Sequence, residues 1–206
     1  LAQAMRAALE VKDYAGAAAR SGDLASLGVV GAQKPDVAVL RGHLAEALGR
    51  DEEALQDFAA AAASADRPSA VEARLAELAL RQRRGEIKPD ELLPELETLA
   101  VLWRGDLIEV RTLSMLAKLY AREGRYRDVL MAAHTASRLA PDSELARAMQ
   151  DDAAALFVEL FGGGKGDDLP PVAALALFYE FQELTPIGRR GDEIIRKLAD
   201  RLVAVD

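Results

Sequence analysis

The chain has 206 residues, half of them hydrophobic and 29% charged, enough to bury a core as one domain or a short array of repeats. A net charge of −8 argues against a nucleic-acid binder, which needs a basic face to displace counterions. With no cysteine there is no disulfide, thiolate metal ligand or thiol nucleophile, and with no asparagine there is no N-glycosylation acceptor.

Roughly a fifth of the chain is alanine, leucine is frequent, and β-branched runs are scarce, which predicts an all-α protein. No apolar run approaches the roughly 18 residues that a membrane span needs. The chain opens "LAQAMRAALEVKDY", without an initiator Met or a signal-peptide pattern, and closes "KLADRLVAVD" in a helical rhythm. Both ends read as cut from a larger protein, and the lack of cysteine fits cytoplasm and periplasm alike.

The first element, residues 1–34, has Asp13-Tyr14 in a turn ahead of Ala17. Pro35 to Pro68 reads as two helices broken at Gly49. The next stretch gives helical runs near 69–84 and 89–103. The pattern is clearest from Val110 to Pro141. There Leu113, Leu116, Ala117 and Tyr120 recur at helical spacing, and Glu123-Gly124-Arg125 breaks the run. Val129, Leu130, Ala133 and Ala136 resume it, and Pro141 ends it. Ala54 and Val129 hold equivalent places two periods of about 37 residues apart, and one period back from Ala54 lies Ala17. The prediction is four helix–turn–helix units, at 1–34 (its start cut away), 35–68, 69–105 (degenerate) and 110–143. Three irregular helices then continue the stack over 144–206, with runs at 143–161, 171–186 and 191–205. Phe178, Tyr179 and Phe181 concentrate the aromatic mass of the second. The third is amphipathic through Ile194, Ile195, Leu198, Leu202 and Val205. The fold class expected is a right-handed α-solenoid of stacked hairpins with about 9–11 helices.

In the 110–141 unit, Leu116-Ala117, Tyr120, Gly124, Tyr126, Ala136 and Pro141 stand in one frame. This frame resembles the tetratricopeptide repeat, with Val129 at the family's alanine, Ala133 at its large residue and Leu113 at its early Trp. In the 35–68 unit Gly42, Gly49, Ala54, Phe58 and Ala61 match, while Arg41 stands where leucine is usual and Ala45 where tyrosine is. The C-terminal third also looks like that of large repeat proteins of alphaproteobacteria. The resemblance implies that small residues at 42, 54, 117 and 136 let the helices of a hairpin cross closely. Phe58 and Tyr120 would fill the space between hairpins, and Gly49 and Gly124 would take the positive φ that ends a helix. All of these residues are expected in the core, and none in a site. Each hairpin leaves an apolar face that only the next one covers.

The stretch "LFGGGKGDDLPP", Leu160 to Pro171, invites a phosphate-loop reading. A phosphate loop needs G-x-x-x-x-G-K-[ST] between a strand and a helix. Glu159 stands where the first glycine belongs, Gly166 where the hydroxyl belongs, and the upstream segment is helical. The expectation is a mobile joint between helices. Two R-G-D triplets, Arg104–Asp106 and Arg190–Asp192, read as a glycine after one helix and an aspartate capping the next. His43 and His134 lie in different repeats, with no carboxylate counted at metal-ligand spacing, so neither a metal site nor a triad is expected. No catalytic constellation and no cofactor motif is found.

What remains is surface. The resemblance implies that first helices line a groove. On the 110–122 helix, Arg111, Ser114, Lys118 and Arg122 fall on one face away from the hairpin core, with Gln82 and Arg83 extending it from the preceding hairpin. Such a basic groove suits an acidic or C-terminal peptide. Chaperone-binding relatives clamp a C-terminal carboxylate with lysines and two asparagines. Here His43 and Lys118 hold the asparagine places, which argues against that clamp. The expected role is a non-catalytic scaffold that binds a protein or peptide. The alternatives are a spacer that self-associates through Ile194, Leu198 and Leu202, and a regulatory region of an enzyme whose catalytic domain lies elsewhere.

Overall fold

The computed structural model describes residues 1–28 and 34–203, so the predicted role of Val205 lies outside the described residues. Eleven α-helices and no strand occur among them. In chain order they are α1 (Ala2–Glu10), α2 (Tyr14–Ser26), α3 (Pro35–Ala47), α4 (Asp51–Ala62), α5 (Arg67–Arg83), α6 (Pro89–Leu102), α7 (Leu107–Arg122), α8 (Tyr126–Leu139), α9 (Glu144–Phe161), α10 (Pro171–Glu180) and α11 (Arg189–Val203). They form two compact units, Leu1–Arg104 and Gly105–Asp206. The 110–143 hairpin therefore shares its unit with the helices that follow it.

In the first unit α1, α3 and α5 pack in succession, while α2 and α4 pair with the helix before them and α4 also packs on α5. Met5, Ala17, Val37 and Leu40 bury one core, and Ala38, Ala54, Phe58, Ala73 and Leu80 bury the next. The expected small-against-large contact is present. Gly42 lies against the fully buried Phe58, and a Cβ there would come within 2.4 Å of the ring. In the second unit α7 and α8 form a hairpin, α9 packs on both, and α11 packs on α9 and α10. Phe157, Phe161 and Phe178 meet there with ring centroids 4.7 to 5.6 Å apart.

One backbone feature ties four hairpins together. The second residue after α1, α3, α5 and α7 has positive φ: Lys12 at 59°, Gly49 at 74°, Gly85 at 71° and Gly124 at 71°. In each case the next residue's N–H donates five residues back: Asp13 to Ala8, Arg50 to Ala45, Glu86 to Arg81, and Arg125 to Tyr120. The same helix-ending turn thus recurs at close to the predicted period, including in the degenerate copy. Only the first uses a non-glycine, and a left-handed L-residue costs about 1–2 kcal/mol. Lys12→Gly is therefore expected to stabilise the protein by about 1 kcal/mol, read as a raised midpoint in urea unfolding.

Four expectations need correction. The helix predicted over 171–186 ends at Glu180, and Gln182–Leu184 form a 3₁₀ turn, because Phe181 leaves helical geometry to bury its ring. Ile194 and Leu198 are buried in their own unit's core and Leu202 packs against it, so that face is not free for a second copy. Asp192 is not a cap: α11 begins at Arg189, which puts Gly191-Asp192 in its first turn. Gly191 is required there because a Cβ would sit 2.0 Å from the Pro186 carbonyl oxygen. By contrast, Asp106 does cap α7, accepting from the Ile108 and Glu109 N–H groups, while Glu109 reaches back to the Gly105 N–H. The fourth correction concerns the glycine-rich joint. It folds back on α9, with Lys165 N–H donating to Glu159 O and Gly166 N–H to Leu160 O, and side chains of α11 hold it.

Candidate functional site

In the second unit, α7 and α9 stand on either side of α8 and leave a cleft of about 300 Å³. Its floor is apolar because the α8 positions facing it, Val129 and Ala133, are small or branched. Ser114, Ala117, Lys118 and Ala121 form the α7 wall. Met149, Asp152, Ala155, Leu156 and Glu159 form the α9 wall, and Lys165 from the glycine-rich loop completes the lining. Ala117, Val129 and Ala133 were all expected purely as core. Val129 and Ala133 are buried and Ala117 is partly buried, and packing of α9 on α7 and α8 leaves a gap over them.

Of the residues predicted on the α7 face, Lys118 and Ser114 reach this cleft. Arg111, Lys118 and Arg122 are exposed as expected. Ser114 is buried, at 8% exposure. The correction has a simple cause: α7 packs on both α8 and α9, so its solvent arc is narrower than a lone hairpin would leave. Gln82 and Arg83 belong to the other unit. Gln82 is partly buried, and Arg83 is engaged by Glu46 at 2.7 Å and Asp51 at 3.8 Å.

The groove's charges are arranged unevenly. Lys165 pairs with Glu159 at 3.0 Å and lies 5.8 Å from the Tyr126 ring centre. Lys118 and Asp152, on opposite walls, have no ion-pair partner among the described residues. The α9 wall was absent from the sequence reading, although its signal is visible: Met149, Asp152, Leu156 and Glu159 follow helical spacing.

A second polar cluster lies across α1, α3 and α5. Glu72 meets Arg6 at 3.3 Å and His43 at 3.9 Å, and His43 meets Glu46 at 3.6 Å. Glu46 stands at i+3 from His43, so a carboxylate does lie one helical turn from this histidine, contrary to expectation. The His43 ring also lies edge-on to Phe58, 5.1 Å away. Burial alone would push the Glu46 carboxyl up, but hydrogen bonds from His43 and Arg83 outweigh it and hold it below the usual carboxylate range. A carboxylate depressed in the folded state adds stability above its unfolded pKa and loses it as pH falls through the folded one. Glu46→Gln should therefore cost up to about 1 kcal/mol at pH 7, and the difference from the parent should begin to shrink once pH falls below the ordinary glutamate pKa, read by urea unfolding across pH.

Among the described residues, no group of three or more His, Cys, Asp or Glu is placed to hold a metal ion, and no helix is long and apolar enough to cross a membrane. No family model, curated protein or solved structure matches the chain.

Proposed function

We propose that this chain is a tetratricopeptide-like, non-catalytic interaction module, and that it takes a peptide or protein partner in the α7–α9 groove. The observation that carries this reading is the groove itself: an apolar floor walled by two helices, with Lys118, which has no ion-pair partner among the described residues, at its edge. Its first-helix walls are also where the repeat resemblance puts a ligand. Apolar surface gives such a site affinity, and the flanking charges give it orientation. The recurrence of one helix-ending turn through four hairpins supports the repeat reading.

The test uses a displayed library of random peptides selected on the chain, with Ala121→Trp as the counter-screen. Ala121 is exposed and lines the groove, so a Trp there fills the space without entering the core. Enriched peptides should lose at least about tenfold in affinity for Ala121→Trp, or about 1.4 kcal/mol. Arg138→Ala, at an exposed residue outside the groove lining, should leave them unchanged. An empty selection, or peptides indifferent to Ala121→Trp, would rule the groove out.

A further inference from the structure

The loop from Gly162 to Pro170 is held from outside by α11. Arg201 donates from one guanidinium nitrogen to Gly166 O at 2.7 Å, and from the other to Asp167 O at 2.7 Å and to Leu169 O. Lys197 donates to Gly162 O at 2.5 Å. Gly162 O stands at the C-cap of α9, where a helix leaves acceptors unsatisfied and favours cations, and the other three are carbonyls of the loop itself. The loop has no slack inside either. Gly166 is buried, and a Cβ on it would sit 2.5 Å from Leu160 O. Gly164 takes φ 87°, and the Lys165 N–H is tied to Glu159 O at 3.1 Å.

Lys165 sits between these two anchors. With its backbone fixed, its side chain lies back along α9 toward Glu159 and Tyr126 and lines the groove. We infer that Arg201 is a positioning residue for the α7–α9 groove: α11 fixes the loop, and the loop fixes Lys165 at the groove wall. This rests on the groove being the binding site. Arginine suits the role better than lysine, because its planar guanidinium donates to the three carbonyls from two separated nitrogens in a rigid fork, whereas an ammonium offers a single donor atom on a flexible stem. A partner segment lying in the groove then meets one cation on α7, Lys118, and a second whose place depends on a helix outside the groove lining.

Two readouts separate this inference from the binding proposal. The chain has no cysteine, so Asp168→Cys gives a single site for a nitroxide on the exposed side of the loop. Its electron-spin spectrum should show restricted motion with Arg201 present and fast motion in Arg201→Gln, with Arg201→Lys between them. Helix content by circular dichroism should be unchanged, and if Arg201→Gln unfolds, Arg201→Lys carries the comparison. The second readout is a double-mutant cycle on a library-selected peptide. Arg201→Gln should weaken binding about fivefold in the parent and have no effect once Lys165 is alanine. A label already mobile beside Arg201, one unmoved by its loss, or additive effects on binding would overturn the inference while leaving the groove intact. If no peptide is selected, the groove proposal fails, and the spin-label result alone decides whether Arg201 holds the loop.

Discussion

Gly42→Ala should destabilise the protein by about 1–2 kcal/mol, although alanine is the better helix former by about 1 kcal/mol. The new Cβ would come 2.4 to 3.0 Å from three atoms of the Phe58 ring, and Phe58 is fully buried with nowhere to retreat. Phe58→Ala alone should cost about 3–5 kcal/mol as a large-to-small core change. Made in that background, Gly42→Ala should reverse sign and recover about 1 kcal/mol, because the clash has gone and the propensity gain remains. Gly22 in α2 serves as the comparison: an added Cβ meets nothing within 4 Å, so Gly22→Ala should stabilise in any background. Urea unfolding of the four variants reads the coupling directly. Additive effects at 42 and 58 would show that the close helix crossing does not depend on this pair.

The second large effect is expected at Phe157. It is fully buried and touches Phe161 and Phe178 at centroid distances of 4.7 and 5.6 Å, in the core shared by α8, α9, α10 and α11. Phe157→Ala should cost about 3–5 kcal/mol, with loss of the aromatic contacts added to the cavity. Tyr179, also on an aromatic edge at 5.9 Å but 61% exposed, should lose under about 1 kcal/mol on truncation. A Phe157→Ala variant as stable as the parent would mean that the helices after α8 do not form the core described.

Much of the fold was legible because its determinants are local. Helical periodicity marks each run, and the residues that end the runs, Gly49 and Gly124, need left-handed backbone that few others accept. Lys12 was harder to see, since nothing in a lysine announces positive φ. Only its place one period before Gly49 does so. Extents were lost where burial overrode rhythm, as at Phe181. The Asp192 cap was misplaced because Gly191 looks like a helix stop, but the missing Cβ instead lets the first turn of α11 approach Pro186 O.

The candidate site was legible only in part, for a related reason. Lys118 could be placed on an outward face from its own helix alone. Ser114 could not, because its burial depends on helices packed around α7, and one wall of the cleft it lines is α9, a helix outside the regular frame. Lys165 reaches the groove through a loop whose shape is set by Arg201, 36 positions away in sequence, and no local pattern encodes that contact.

The α7–α9 groove is expected to bind a partner segment. The most direct measurement is titration of ¹⁵N-labelled chain with a library-selected peptide, followed by amide shifts. Saturable changes should concentrate at Ala117, Lys118, Ala121, Asp152, Ala155 and Lys165, and should be lost in Ala121→Trp. Saturable changes confined to the first unit or to α10, with the groove amides unmoved, would contradict it.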